Sequence, residues 1–325
     1  MFAAHIYAPR KIRLVEVPEP VLGPIPDDPS VHGEIIFQPE LGCLCGSDLP
    51  YFDGQAPEYP AEVGQSLHEI IGTVVASNGT RFKPGDRVLC IPVNHFGFFQ
   101  RFRVSQSRAI PIDPRASDEE AVLAQPLGTV LCAMRKLPNV LNWNVVVVGQ
   151  GPIGQLFNAV LRNLGAREII GLDRLEERLA FSPRMGATAT VHVERENPVE
   201  RVREITLGRM ADLVVEAVGH QDQVFNLCIE LCRDFGEILF FGVPPSEIDG
   251  LKWRRLFWKN IRVTTSLGPD FQIDFPLAMR WVAEKRIDVR PLITHRFPVE
   301  QAQEAFETFV DRRDGAMKVL LEFPK

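Results

Sequence analysis

The chain is predicted to be an α/β protein in two parts, a β-rich domain and a doubly wound parallel sheet. Three observations lead there. The first third is dense in short β-type runs broken by proline and glycine, among them IRLVEV, GEIIFQPELGCLC, IIGTVVAS, GDRVLCIPV and QRFRVS, the texture of an all-β unit with many turns. From about Pro126 onward, apolar strands alternate with helical patterns, which is how right-handed crossovers build a parallel sheet. At 325 residues the chain also exceeds what one hydrophobic core usually organises.

The second part can be followed element by element. NVVVVG reads as a strand, PIGQLFNAVLRNLG as a helix, REIIGLD as the next strand and LEERLAFSPRMG as a charged helix. DLVVEAVG, the helix DQVFNLCIELC, GEILFFG, the helix-like LKWRRLFWKN and the strand NIRVTTS continue the alternation. The last segment carries the helices FPLAMRWVAEK and VEQAQEAFETFVD and the strands LITHRF and KVLLEF. Residues 1–127 and 269–325 are therefore expected to form the β-rich domain, with residues 128–268 inserted as the parallel-sheet domain.

Composition excludes several classes of function. A net charge of −6 leaves no basic excess for nucleic acid. No run approaches the length of apolar sequence needed to cross a bilayer. The N-terminal MFAAHIYAPRKIRLVEV alternates charge and apolarity, unlike a secretory leader, so the cytoplasm is the expected location and a small molecule the expected partner. Cysteines 43, 45, 90, 132, 228 and 232 are scattered, which argues for reduced thiols or metal ligands over disulfides. Cys228 and Cys232, one helical turn apart in an apolar run, read as core. No four-cysteine cluster exists for a structural zinc.

Residues 145–154, VVVVGQGPIG, place Gly149, Gly151 and Gly154 between a strand and a helix. This is the Rossmann arrangement: the first glycine permits the tight turn, the second lets backbone approach a pyrophosphate, and the third lets helix pack on strand. The helix start then offers free N–H groups and a positive dipole end to phosphates. Asp173 closes the next strand where an acid accepts hydrogen bonds from the adenosine ribose, which favours NAD over NADP; Arg174, beside it, is suited to a 2′-phosphate instead.

In the β-rich domain, CLCGSD (residues 43–48) is followed by LHEIIG (residues 67–72). Cys45, His68 and Glu69 supply thiolate, imidazole and carboxylate, and catalytic zinc takes three such ligands while keeping one position open. By spacing alone, a buried cysteine and a satisfied core histidine are the preferred account of these residues. Cys43, two residues before Cys45, reads either as a substitute ligand or as core, with core preferred.

The order of motifs, CGSD, HE before GTVV, KPGDRV, QPL, VVVVGQGPIG, DLVVEAVG, GEILFFG and KVLLEF, resembles the zinc-type medium-chain alcohol dehydrogenases over essentially the whole chain. Within that superfamily it is most similar to the sorbitol, threonine and polyol branch. The resemblance implies a GroES-like catalytic domain with one zinc, a Rossmann domain with NAD, and an alcohol or carbonyl substrate between them. It implies Cys45 and His68 as zinc ligands, with Glu69 able to coordinate zinc or exchange with its water. Ser47 would take the alcohol proton, and Asp48 would orient the zinc histidine. Pro152 and Ile153 belong to the cofactor turn, Val218, Gly219, Gly242 and Val243 to strand ends beside the nicotinamide, and Arg178 to the ribose end.

Three departures stand out. Gln125 occupies the place of a metal-site glutamate in the polyol branch, so a fourth metal position there is neutral. Leu67 replaces the glycine of GHE, and Pro50 replaces an outer histidine of the proton relay, leaving Tyr51 or water. The structural-zinc lobe is replaced by IPVNHFGFF (residues 91–99). Phe52, His95, Phe96, Phe98 and Trp253 are aromatic candidates for a substrate cleft, although packing is the commoner use of such residues. Two other readings keep the fold: a zinc-independent quinone or enoyl reductase, and a non-catalytic NAD sensor. The strand NIRVTTS, placed where relatives pair sheet edges, implies a homodimer or its doubling to a tetramer.

Overall fold

The computed structural model describes residues 1–56, 59–219 and 222–324. The chain divides into two compact units, Met1–Pro126 with Phe271–Lys325, and Leu127–Asp270. The α/β class expected from the sequence is the class observed.

In the first unit, a seven-stranded sheet runs in the order Ile293–Pro298, Lys318–Glu322, Glu34–Cys43, Glu69–Ser77, Arg87–Cys90 and Ala109–Pro111, with Phe102–Ser105 also paired to Glu34–Cys43. The long strand Glu34–Cys43 alternates buried and partly buried residues, and Ile35 and Phe37 enter the core, as a half-solvated antiparallel sheet requires. Its partner Lys318–Glu322 comes from the far end of the chain, with Leu320 opposite Cys43. The last residues thereby lie beside the turn that carries Cys45. A hairpin of Phe2–Ala8 and Lys11–Glu16 completes the unit.

In the second unit, six parallel strands run in the order Ala189–His192, Glu168–Asp173, Asn144–Val148, Ala211–Glu216, Cys232–Phe240 and Arg262–Thr265. In chain order this is 3-2-1-4-5-6, so the winding reverses beside Asn144–Val148, and ligands of such sheets bind at the carboxyl ends of the strands there. Val145, Val146 and Val147 are fully buried, as expected for a strand covered on both faces.

One local expectation changes. The helix Asp222–Leu231 stops before Cys232, which opens the next strand opposite Ala211, so Cys228 and Cys232 are both buried but do not share a helix. The last carbonyls of the helix, like those of any helix, need donors from outside. The buried Lys259 ammonium donates to the carbonyls of Ile229 (2.8 Å), Glu230 (3.3 Å) and Cys232. Among the described residues no helix is long and apolar enough to cross a membrane.

Replacing Lys259 by methionine keeps the apolar stem and removes all three bonds. Urea unfolding should show a loss of about 1–3 kcal/mol; an unchanged midpoint would contradict the capping role.

Candidate active site

The nucleotide turn is built by steric exclusion. Gly149 has φ +94°, and a Cβ there would lie 2.9 Å from the Val218 side chain and 3.0 Å from the Ala217 carbonyl oxygen. At Gly154 a Cβ would sit 1.8 Å from the Gly149 carbonyl oxygen, whereas at Gly151 its nearest neighbour would be the Arg178 guanidinium at 3.6 Å. Gly149 and Gly154 are thus demanded by packing, and Gly151 keeps the backbone open for approach. Pro152 and Ile153 open the helix Pro152–Asn163, with proline at a position that lacks an intrahelical acceptor for N–H in any case.

Beneath the turn, the Gln150 side chain donates to the Val147 carbonyl (2.9 Å) and accepts from Asn158 and from Ser182, both at 2.7 Å. The Asp173 carboxylate accepts from the amides of Gln150 (2.7 Å), Arg174 (2.7 Å) and Leu175 (3.0 Å), and the Arg178 guanidinium stands 3.6 Å away. Strand end and glycine turn are therefore one hydrogen-bonded piece.

Val218, Gly219, Gly242 and Val243 are gathered by a residue that the motif reading passed over. Glu216, buried at the end of its strand, accepts from the amides of Val218 and Gly219 (both 2.9 Å) and of Gly242 (3.1 Å). Its signal in the sequence was an acid ending the apolar run DLVVE.

The second cluster lies in the first unit. After strand Glu34–Cys43 the chain turns through Gly46–Asp48, and the fully buried Asp48 carboxylate accepts from the Cys45 amide (2.8 Å), the Leu67 amide (2.7 Å) and the Ser66 hydroxyl (2.9 Å). One side chain so fastens the Cys45 turn to the segment before His68. Leu67, where the family pattern has glycine, keeps the left-handed backbone at φ +72°, and Ser66 is at +123°. The bond from the Leu67 amide to Asp48 and the complete burial of its side chain hold a conformation that costs a non-glycine residue about 1–2 kcal/mol.

Donor atoms of Cys45, His68 and Glu69 lie within 4.8 Å of one another, and so do those of Asp48, His68 and His95. Glu69 is clasped through both oxygens, each 2.6 Å from the ammonium of Lys318, which also donates to the Leu44 carbonyl at 3.2 Å. Lys318 was not foreseen; a lysine at a buried place in the apolar strand KVLLEF was its only trace. Burial pushes the Glu69 carboxyl up while Lys318 opposes it. Burial also pushes the Cys43 thiol well above its ordinary range, so Cys43 stays a protonated core residue.

His95 comes from residues 91–99. Its Nδ1 is 3.9 Å from the Asp48 carboxylate, where the Nδ1 of His68 stands at 4.0 Å, and the two rings are 4.3 Å apart. The Tyr51 ring lies 5.6 Å from His95. Ser47 Oγ, His68 Nδ1 and His95 Nδ1 are buried without a hydrogen-bond partner. Orphaned donors and acceptors beside a thiol fit a metal ion and a polar substrate better than a closed core.

Of the other candidates, Phe52 and Phe98 are fully buried and stack near Phe306, at 4.9 and 6.2 Å, and Trp253 is 62% exposed on the second unit. Gln125 is buried in the helix Asp118–Arg135.

Residues 32–110 match the alcohol dehydrogenase GroES-like domain family, and residues 152–284 the zinc-binding dehydrogenase family. The chain belongs to the zinc-type medium-chain dehydrogenase superfamily. It is 27% identical to an L-threonine 3-dehydrogenase of Marinomonas sp., over 98% of each chain, and 27% identical to another from Photorhabdus laumondii, again over 98% of each. The alcohol dehydrogenase TADH from Thermus sp. ATN1 superposes with a TM-score of 0.88 at 25% identity, covering both chains completely. Galactitol-1-phosphate dehydrogenase from Escherichia coli shares the fold, with a TM-score of 0.86 at 21% identity, over 99% of this chain and 100% of that one. This dehydrogenase is therefore an oxidoreductase acting on CH–OH groups, as its motif order implied.

In this dehydrogenase, burial works to raise the Asp48 carboxyl, but His95, His68 and the Leu67 amide outweigh it and bring it down from 3.8 to about 2. A carboxyl depressed on folding stabilises above its unfolded value and loses that contribution as pH falls through the folded value. Metal-free protein should lose roughly 2 kcal/mol more than Asp48→Asn between pH 5 and pH 2. Parallel denaturant curves would refute the linkage.

Proposed function

We propose that the enzyme is an NAD-dependent, zinc-dependent dehydrogenase of the polyol or sugar-alcohol type, exchanging hydride between a secondary alcohol and its ketone. The observation that carries this is the cluster of Cys45, His68 and Glu69 donors beside the orphaned Ser47 hydroxyl. Cys45 and His68 would hold one zinc, with Glu69 and Gln125 as the remaining candidates for its shell. Zinc, when bound, supplies Lewis acidity toward the substrate oxygen, and the nicotinamide supplies the redox chemistry.

The chain's own residues do the rest. Ser47 Oγ, an atom with no protein partner, takes the alcohol proton and releases its own hydroxyl proton outward to water. Asp48 keeps the His68 segment against the Cys45 turn and so sets the ring's orientation. Gly149, Gly151 and Gly154 receive the pyrophosphate with Pro152 and Ile153, and Glu216 holds the loops of Val218, Gly219, Gly242 and Val243 for the nicotinamide end. The Asp173 carboxylate, fixed by three amides, accepts from ribose hydroxyls and repels a 2′-phosphate. Arg174 and Arg178 border the same end.

Protein purified without chelator should contain about one zinc per chain and should reduce NAD in preference to NADP across a panel of diols, sugar alcohols and hydroxy acids. Activity that survives zinc removal and appears only with quinones or enones would replace this reading with the zinc-independent one.

The edge strand Arg262–Thr265 leaves Val263 exposed, and Phe257, Trp258 and Leu267, close to it in sequence, are exposed as well. Bare strand edges and apolar patches are covered in stable proteins, which supports a homodimer or a tetramer built from it. Light scattering should give at least twice the chain mass, and a monomer at micromolar concentration would refute it.

A further inference from the structure

Residues 91–99 bring His95 to a place where no hydrogen bond satisfies it. Its Nδ1 is 3.9 Å from Asp48 Oδ1, and His68 Nδ1 is 4.0 Å from the same oxygen. Both nitrogens are buried and unpartnered. A direct hydrogen bond would need about 2.7–3.2 Å; Oδ1 accepts from the Leu67 amide and the Ser66 hydroxyl, so an ion on this oxygen would take the place of the Ser66 hydroxyl. Donors about 2 Å from a tetrahedral cation stand roughly 3.3 Å from one another, so each nitrogen would have to close on Oδ1 by about 0.6–0.7 Å to share one ion with it.

The backbone supports the placement. Asn94 and His95 are both left-handed, at φ 48° and 62°, as are Ser66 and Leu67 before His68. The Ser66 amide donates to the His95 carbonyl at 2.7 Å, which locks the two histidine-bearing segments together. Four strained residues in one place indicate geometry held for a site.

We propose that Asp48, His68 and His95 form a second ligand set, for a divalent transition-metal cation held by two neutral imidazoles and one carboxylate. It shares His68 with the Cys45 set, so one ion per chain has two alternative seats. This set uses nitrogen and oxygen only, a choice that suits zinc, cobalt or nickel without a thiolate. The inference rests on the metal-dependent reading above.

Cobalt titration of metal-free protein separates the two. Cys45→Ala should still bind one Co2+, with ligand-field bands and no thiolate charge-transfer band, and adding His95→Ala should weaken that binding by about 100-fold. Circular dichroism and retained NAD binding verify folding, with Cys45→Ser as the substitute if alanine fails. Folded Cys45 variants that bind no Co2+, or bind it equally with and without His95, overturn the proposal. If wild-type protein meanwhile shows a thiolate band, the zinc dehydrogenase reading stands and only the His95 set falls. Wild-type protein that takes up no metal removes both.

Discussion

The carboxylate of Asp48 accepts hydrogen bonds from the Cys45 amide, the Leu67 amide and the Ser66 hydroxyl inside a fully buried setting, and the geometry of the Cys45, His68 and Glu69 cluster follows from that constraint. Without it the turn after strand Glu34–Cys43 and the segment before strand Glu69–Ser77 would be two loops at the end of one sheet. With it, donor atoms of Cys45, His68 and Glu69 are held within 4.8 Å of one another. A buried charge is tolerable only when its lone pairs are occupied, so the need to satisfy Asp48 also holds Leu67 in its left-handed conformation.

A second buried charge makes the centre depend on the far end of the chain. Lys318 and Glu69 are 249 residues apart in sequence and meet with both carboxylate oxygens engaged. Burying such a pair gains little stability compared with apolar residues, whereas removing one partner leaves an uncompensated charge. The pair therefore ties completion of the sheet by strand Lys318–Glu322 to the state of Glu69, a candidate metal ligand.

The nucleotide unit uses the same device. Glu216 collects the loop amides at two neighbouring strand ends, and Asp173 collects those at the glycine turn and its own strand end. In each case an acid at the end of a buried strand turns flexible loop backbone into a fixed cradle, with amide directions set in advance of the ligand.

How much of this was legible in the sequence depends on how far each residue's partners lie along the chain. Strand, turn and helix at residues 145–154 are governed by neighbours a few positions away, so the three glycines could be given separate roles from the sequence, and the tight turn at Gly149 and the close packing at Gly154 match the steric surroundings found. The βαβ order, the fold class and the candidates Cys45, His68, Asp48 and Asp173 were legible for the same reason or through motif order. The helix end before Cys232 was not, because the carbonyl donor is Lys259, beyond an intervening strand. Lys318 and Glu216 escaped as well, and His95 was named only as a cleft residue, without its place beside Asp48 and His68. The sequence by itself determined which local structures form and which chemical groups are on offer. Only the tertiary structure decided which of those groups meet, because buried charges and orphaned imidazoles choose partners by sheet neighbourhood and loop path, which no local pattern encodes.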